Sequence, residues 1–380
     1  MKVVIAIDSL KGSLSSPDAG AAAARGVLAA APDAILRVFS LADGGEGTTD
    51  ALLSAAGGRK ITLTVTGPMG TPVSADYAIL SDGTAVIEVA AAAGLPLVDR
   101  EARDPMRATT FGVGEMIAHA IEGGARRFII GLGGSATNDG GAGMLAALGY
   151  RFLDEDGRDI PLGARGLSTL AEIRTDAALP ALTECEFRIA CDVDNPLCGA
   201  RGASAVYGPQ KGASPEDVCT LDALLSRYAD LSERALGKND ASTPGAGAAG
   251  GLGFAFLAYL GGRLESGVEL VIAQANMEEE MKNADLVLTG EGRLDGQSAM
   301  GKAPVGIAKA AKKYGKTVVA LAGCVTPDAR GCHEAGIDAF FPILDRPMPL
   351  TDAMAAETAR ENIARTAEEV VRLLISSEKR

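Results

Sequence analysis

The stretch Arg127–Gly149, RFIIGLGGSATNDGGAGMLAALG, decides how the rest of the chain is read. Phe128–Ile129–Ile130 is a short apolar run with turn residues after it, the pattern of a buried strand. Gly131, Gly133, Gly134, Gly140, Gly141 and Gly143 follow, with Ser135, Thr137, Asn138 and Asp139 set among them. Met144–Leu148 then predicts a short helix that stops at Gly149. A strand, a glycine-rich loop and a helix start aim backbone N–H groups and the positive helix end at one spot. An anion, most often a phosphate, is the natural occupant of such a spot. Glycine suits the loop because a side chain would hold the ligand away from the backbone. Two other readings share the pattern. Glycines after a strand also serve packing alone, and this chain has 48 of them in 380 residues. Gly131-x-Gly133-x-x-Ala136 also fits a nicotinamide-dinucleotide fingerprint, with Asp154 after Phe152–Leu153 in the place of the ribose-binding acid. Against it, Asn138–Asp139–Gly140–Gly141 interrupts the place where the fingerprint's helix should already be running. An aspartate beside a phosphate cradle suits magnesium instead.

Composition narrows the class. A chain of 380 residues is long for one core, so two domains are expected. With 47 % hydrophobic residues and only 4 % aromatic ones, it reads as an α/β enzyme built on small aliphatic side chains. The net charge of −13 excludes the broad basic face a nucleic acid needs, while leaving room for a locally positive pocket. Met1–Ile7 runs straight into strand-like sequence without signal-peptide architecture, and no apolar run is long enough to span a bilayer. A cytoplasmic location with no membrane partner is the expectation. Cys185, Cys191, Cys198, Cys219, Cys324 and Cys332 lack paired C-x-x-C spacing, so neither a zinc site nor a disulfide framework is expected.

Outward from the glycine stretch, the same grammar recurs. Val3–Ile7 predicts a strand ending at Asp8–Ser9, with Lys11 next and a helix opened by Ser16 as cap, with Pro17 behind it. A second strand near Ile35–Leu41 delivers Asp43, Gly44, Gly45 and Glu46 to another helix start. In an open parallel sheet such loops lie along the carboxyl edge, where ligands bind. The period then changes to alternation, and Asp82–Gly83 between alternating runs predicts a hairpin and a mixed sheet. His119 falls in the last turn of a helix, where it complements the dipole. Phe187–Ala190 predicts a strand followed by Cys191–Asp192–Val193–Asp194, whose two aspartates, one residue apart, would point the same way. Tyr207–Gly212 is a further loop with a cation, Lys211, and Pro244–Gly251 is a second glycine-rich loop before a helix. Asp285–Thr289 restores the parallel grammar and leads into Glu291, Arg293 and Asp295. Gly296 to Lys302 has P-loop spacing, but Ala303 stands where a P-loop needs Ser or Thr and the strand ends too early. A true P-loop is rejected, and Lys302 is kept as a phosphate contact. Ile363, Ala367, Val370 and Leu374 make one apolar stripe on a terminal helix.

The pieces together resemble the bacterial glycerate kinase type 1 family. Matching segments, in the family's order, are VVIAIDSLKGSLS from Val3, LADGGEGTTDAL from Leu41, VTGPMGTPV from Val65 and IIGLGGSATNDGGAGML from Ile129. ACDVDNPLCGARGASAVYGPQKGA from Ala190, PGAGAAGGLG from Pro244 and LTGEGRLDGQSAMGKAPVGIA from Leu288 complete them. The resemblance implies ATP-dependent phosphorylation of D-glycerate, at the 2-hydroxyl in this branch. It also implies two α/β domains, one flavodoxin-like with a parallel sheet, the other a mixed-sheet domain inserted into it. With the period changes as guide, the first takes residues 1–65 plus 280–380 and the second 66–279, with the active site in the cleft between them.

Phosphoryl transfer asks a protein mainly to position groups and neutralise charge. Gly131, Gly133, Gly134, Ser135, Thr137 and Asn138 are therefore expected at the nucleotide phosphates, with Lys302 and Lys11 as side-chain cations. Asp43, Glu46 and Asp194 are the expected magnesium ligands, Asp192 the base for the substrate hydroxyl, and Arg293 the two-pronged grip on the glycerate carboxylate. Asp295 and Asp8 stand next in line as base. A dehydrogenase using the Gly131 loop and a non-catalytic sugar-acid binder are the competing classes. A homodimer is left open, because the sequence is silent on assembly.

Overall fold

Five consecutive apolar residues, Val3 to Ile7, are wholly buried, as a strand covered on both faces of a parallel sheet must be. They open a computed structural model that describes residues 1–42 and 44–378. Asp43, an expected magnesium ligand, lies outside the described residues. In chain order the strands are β1 (Lys2–Ile7), β2 (Ile35–Ser40), β3 (Gly58–Thr66), β4 (Pro72–Leu80), β5 (Ala85–Glu88), β6 (Arg127–Gly131) and β7 (Arg151–Leu153). They continue with β8 (Glu172–Arg174), β9 (Glu186–Ala190), β10 (Arg263–Glu265), β11 (Leu286–Leu294), β12 (Thr317–Val325) and β13 (Ala339–Pro342). The chain divides into two units: Met1–Asp43, Asp50–Ala56 and Val268–Arg380 in the first, Gly44–Thr49 and Gly57–Gly267 in the second.

The first unit holds a five-stranded sheet in the order β13-β12-β11-β1-β2, with every neighbouring pair parallel. Val3 pairs with Leu286 and Ile7 with Gly290, so the two ends of the chain share one sheet. β11 runs farther than its apolar stretch predicts. β11, expected to stop at Thr289, continues to Leu294, and β12 runs beside it to Val325, with Glu291 opposite Ala322 and Arg293 opposite Cys324. Glu291 and Arg293 are thus strand residues. On one face of the sheet, Ala19, Ala23 and Val27 of the helix Ser16–Ala30 pack with Ile363, Ala367 and Val370 of the helix Ala356–Glu378. A Cβ on Gly26 would stand 1.9 Å from the Ala364 carbonyl oxygen, so only glycine lets these helices approach. The cap of the first helix is Ser15, one residue before the expected Ser16: the Asp18 N–H donates to Ser15 Oγ at 3.2 Å. Ser16 does other work. Its Oγ donates to the Ile7 carbonyl at 2.6 Å and accepts from the Leu41 N–H at 2.7 Å, tying the carboxyl ends of β1 and β2.

The second unit holds a six-stranded mixed sheet, β10-β9-β6-β5-β4-β3, antiparallel from β3 to β5 and parallel from β5 to β10. The Asp82–Gly83 hairpin closes as the sequence predicts, with Leu80 N–H donating to the Thr84 carbonyl at 2.9 Å. Phe128 and Phe187 face each other across β6 and β9 with ring centroids 4.8 Å apart. A cross-strand aromatic pair of this kind adds about 0.2–1 kcal/mol to sheet pairing. β7 and β8 form a separate antiparallel pair. The helix Ala248–Leu260 begins with a left-handed turn at Ala249, Gly250 and Gly251. There the Gly250 carbonyl accepts from the Gly140 N–H at 2.9 Å, and a Cβ on Gly250 would stand 2.0 Å from the Thr137 carbonyl oxygen. The second glycine-rich loop is therefore packed on the first. Among the described residues no helix is long and apolar enough to cross a membrane.

Candidate active-site loops

In the second unit β6 delivers the glycine loop, and most of that loop is interior. The helix after it is Ala142–Ala147, only six residues long, and its N–H groups are already occupied. Ala142 N–H donates to the Asp139 carbonyl at 3.1 Å. Gly143 N–H donates to Asp139 Oδ2 at 3.3 Å, and Met144 N–H to Thr110 Oγ1 at 2.9 Å. The Asp139 carboxylate also accepts from Thr110 N–H at 2.8 Å, from Gly141 N–H at 3.1 Å and from the Thr110 hydroxyl. The anion expected at this helix start is the chain's own. Asp139 is fully buried. Burial pushes its carboxyl above the usual carboxylate value, while the Thr110, Gly141 and Gly143 donors pull the other way.

Three of the residues expected at the nucleotide lie inside the fold. Ser135, Thr137 and Asn138 are buried, and their groups are turned into the fold. Ser135 Oγ and the Thr137 carbonyl accept from Lys211 Nζ at 2.9 and 2.7 Å, and Asn138 Nδ2 donates to Ser204 Oγ at 2.9 Å. A Cβ on Gly131 would meet the Gly44 carbonyl oxygen at 2.5 Å, and one on Gly133 the Gly45 Cα at 2.6 Å, so these two glycines admit a neighbouring backbone. Gly134 is exposed, with φ +76° and only the Ala90 methyl nearby. Gly133 and Gly134 are the glycines of this loop that are not buried. The dinucleotide fingerprint fails here, because no helix begins near Ala136.

Lys211 is a residue whose place sequence reasoning missed. It is 2 % exposed, and burial drags its ammonium down to about 7, against the pull of the Asp139 charge. Its partners lie 76 and 74 residues away in sequence, so only the isolated cation in a Pro–Gly loop hinted at it. Glu88, at the end of β5, was missed as well. Its carboxylate accepts from Thr49 N–H at 2.7 Å and from Gly47 N–H at 3.3 Å, capping the helix Thr48–Ala56 and fixing the loop that carries Glu46. Glu46 itself is exposed.

The paired aspartates after β9 are not a strand pair. β9 stops at Ala190, so the alternation argument for Asp192 and Asp194 does not apply. Asp194 is exposed and forked by Arg201 at 2.9 and 3.0 Å, which occupies both oxygens expected for a metal. Asp192 is exposed, with Oδ1 accepting from Gly267 N–H at 3.1 Å. Among the described residues no three of His, Cys, Asp and Glu come together as a metal cage.

In the first unit the carboxyl ends of β1 and β11 carry a mixed-charge cluster. Gly292 in β11 lies against the Leu10–Lys11 backbone, its Cβ position 3.6 Å from Lys11 N. Asp295 caps the short helix Gly296–Ala299, accepting from Gln297 and Ser298 N–H at 3.0 and 3.1 Å. Lys302 Nζ stands 3.7 Å from Asp295 Oδ1 and Arg293 Nε 3.5 Å from Oδ2. Burial works to raise the Asp295 carboxyl, but the Ser298 and Gln297 N–H groups with the Lys302 and Arg293 charges outweigh it and hold it low. Glu291 is 8 % exposed, and Ser298 Oγ donates to its Oε1 at 2.5 Å. Lys302 belongs to no P-loop: it is the residue before the helix Ala303–Lys312.

A model of the Glycerate kinase family matches residues 3–375. A Bacillus subtilis (strain 168) protein named Glycerate kinase is 48 % identical over 97 % of this chain and 97 % of its own length. An Escherichia coli (strain K12) protein named Glycerate 2-kinase is 47 % identical over 98 % of each. The crystal structure of a Salmonella typhimurium LT2 protein assigned as glycerate kinase 2 is similar with a TM-score of 0.90, at 45 % identity and complete coverage of both chains.

Proposed function

The chain belongs to the glycerate kinase family, and from that premise we propose that it transfers the terminal phosphoryl group of ATP to the 2-hydroxyl of D-glycerate. The observation that carries this reading is likeness along nearly the whole chain to a relative named for the 2-position. The loops agree with the chemistry asked of them. Adding a phosphate to a carboxylate-bearing substrate brings several negative charges together, and cations must balance them. Arg293, with two-thirds of its side chain exposed and only a 3.5 Å tie to Asp295, takes the glycerate carboxylate through two parallel hydrogen bonds. Lys11 and Lys302 face the transferring phosphoryl group as point charges. Gly133 and Gly134 offer open backbone to the nucleotide phosphates.

Magnesium accompanies this chemistry. It keeps several waters and takes one or two carboxylates along with the phosphates of its nucleotide. Glu46 and Asp192, both exposed, would hold it, with Asp43 as the third candidate; Asp194 would have to leave its ion pair with Arg201 to join them. When bound, the metal neutralises phosphate charge and orients the oxygens for in-line attack. Action in the cytoplasm follows from the use of ATP. The test is ADP release on mixing the protein with ATP, magnesium and D-glycerate. Release that needs D-glycerate, with no nicotinamide reduction when NAD replaces ATP, is expected; the reverse pattern would return the chain to the dehydrogenase class.

A further inference from the structure

A largely buried carboxylate in the first unit is held through one of its oxygens only. Glu291 sits on β11, the middle strand of the parallel sheet, in the part of the strand that reaches past the apolar run. Ser298 Oγ donates to Oε1 at 2.5 Å, and no hydrogen bond among the described residues reaches Oε2. Among the described residues no ion pair reaches Glu291 either: the nearby Arg293 and Lys302 are tied to Asp295. Taking an ionised carboxylate out of water without a direct partner costs several kcal/mol. A glutamine could accept the same Ser298 hydrogen bond at far lower cost. Sites that keep such a group use its charge.

Two cations act on this carboxylate. Lys11 and Lys302 both act on the Glu291 charge from a distance, so the carboxylate lies in a positive field without being neutralised by contact. β11 and β12 come unusually close here. A Cβ on Gly290 would stand 2.0 Å from the Leu321 carbonyl oxygen, and one on Gly323 2.6 Å from that of Gly292. Gly290 beside Glu291 and Gly323 on β12 therefore let the two strands pack with no Cβ between them, which seats the backbone that carries Glu291.

We propose that Glu291 is the catalytic base of the kinase reaction, with Oε2 accepting the proton of the glycerate hydroxyl and Ser298 holding the carboxylate in place. The inference rests on the glycerate-phosphorylating reading above. In the step, the hydroxyl oxygen forms a bond to the γ-phosphorus as the bond from that phosphorus to the bridging oxygen breaks. The electron pair of the broken bond leaves on ADP, and the proton moves to Oε2. Release of that proton to water resets the carboxylate, so glycerate and ATP become phosphoglycerate, ADP and one proton. Asp192, the expected base, becomes a metal-side carboxylate.

The charge state follows the same groups. Burial raises the Glu291 carboxyl above the usual glutamate value and Asp295 adds to the rise, while the Ser298 hydroxyl, Lys302 and Lys11 oppose it. Cys332, on the helix Gly331–Glu334, also feels the Glu291 charge and is itself pushed up by burial. The base is active only when ionised, so turnover falls as pH drops through the raised value.

The test compares unaltered protein, Glu291→Gln, Ser298→Ala and Asp192→Asn in turnover, Michaelis constants, ATP binding by calorimetry and pH profile. Glu291→Gln should lose about 10²–10⁴-fold in turnover, with ATP affinity and the Michaelis constant for glycerate held within about threefold. Ser298→Ala should move the acid limb of the profile to higher pH, because the hydrogen bond that lowers the base is gone. Asp192→Asn should raise the magnesium requirement and recover at high magnesium. Turnover within about threefold of the parent in Glu291→Gln, or an acid limb unmoved in Ser298→Ala, overturns the assignment. Should Glu291→Gln fail to fold, the Ser298→Ala limb decides alone. If the unaltered protein makes no phosphoglycerate at all, the functional reading has failed, which is distinct from failure of the base.

Discussion

Replacing Asp139 by asparagine should destabilise the second unit by about 3 kcal/mol, and the figure can be built from the contacts. Oδ1 accepts from Gly141 N–H and the Thr110 hydroxyl; Oδ2 accepts from Thr110 N–H and Gly143 N–H. An asparagine amide has one oxygen. Whichever way it turns, its NH₂ faces at least one of these backbone N–H groups, and a buried donor left without an acceptor costs about 1–3 kcal/mol. The nearby Lys211 ammonium also loses the favourable field of the Asp139 charge, which adds to the cost. The chain has no tryptophan and six tyrosines, all but Tyr314 in the second unit, so tyrosine fluorescence during urea unfolding reports on that unit. With a slope of about 3 kcal/mol per molar urea, the midpoint should fall by about 1 M. A midpoint within about 0.2 M of the parent would mean that the carboxylate does not hold the helix start, and would reopen that site to an outside phosphate.

Lys211 makes a pH prediction. Burial brings its ammonium to about 7, against 10.5 unperturbed. Between those values the unfolded chain binds a proton that the folded chain lacks, so this group makes stability rise with pH by about 1.4 kcal/mol per unit, fully gained above 10.5 and lost as pH falls to 7. Lys211→Met should erase that slope; urea midpoints that stay parallel for parent and variant from pH 7.5 to 9.5 would contradict it. Gly134→Ala should weaken ATP binding by about tenfold or more, read by calorimetry. Gly83→Ala strains a backbone of similar positive φ in the hairpin and is the control; equal effects from both would return Gly134 to a purely conformational role.

The sheets were legible because their signals are local. Val3–Ile7 and Asp285–Thr289 read as parallel strands, and Asp82–Gly83 read as a hairpin, from neighbours in sequence alone. The site was legible only in outline. A polar stretch, GEGR, reads as loop, yet it continues β11 because β12 extends beside it through Gly323, and the burial of Glu291 depends on that distant partner. What packs on the glycine loop lay too far off in sequence to be read. Thr110 reaches Asp139 across 29 residues, and Gly250 fills the space over Thr137. Periodicity sees which face is apolar; it does not see which backbone will lie against which glycine.

The central claim, transfer to the 2-hydroxyl of D-glycerate, is tested most directly by the phosphorus NMR spectrum of the product, taken with proton coupling. A phosphate on C2 has one proton three bonds away and gives a doublet, whereas one on C3 has two and gives a triplet. A single doublet growing as ATP is consumed is the predicted result. A triplet, or ADP formation without a new phosphate ester, would contradict the account.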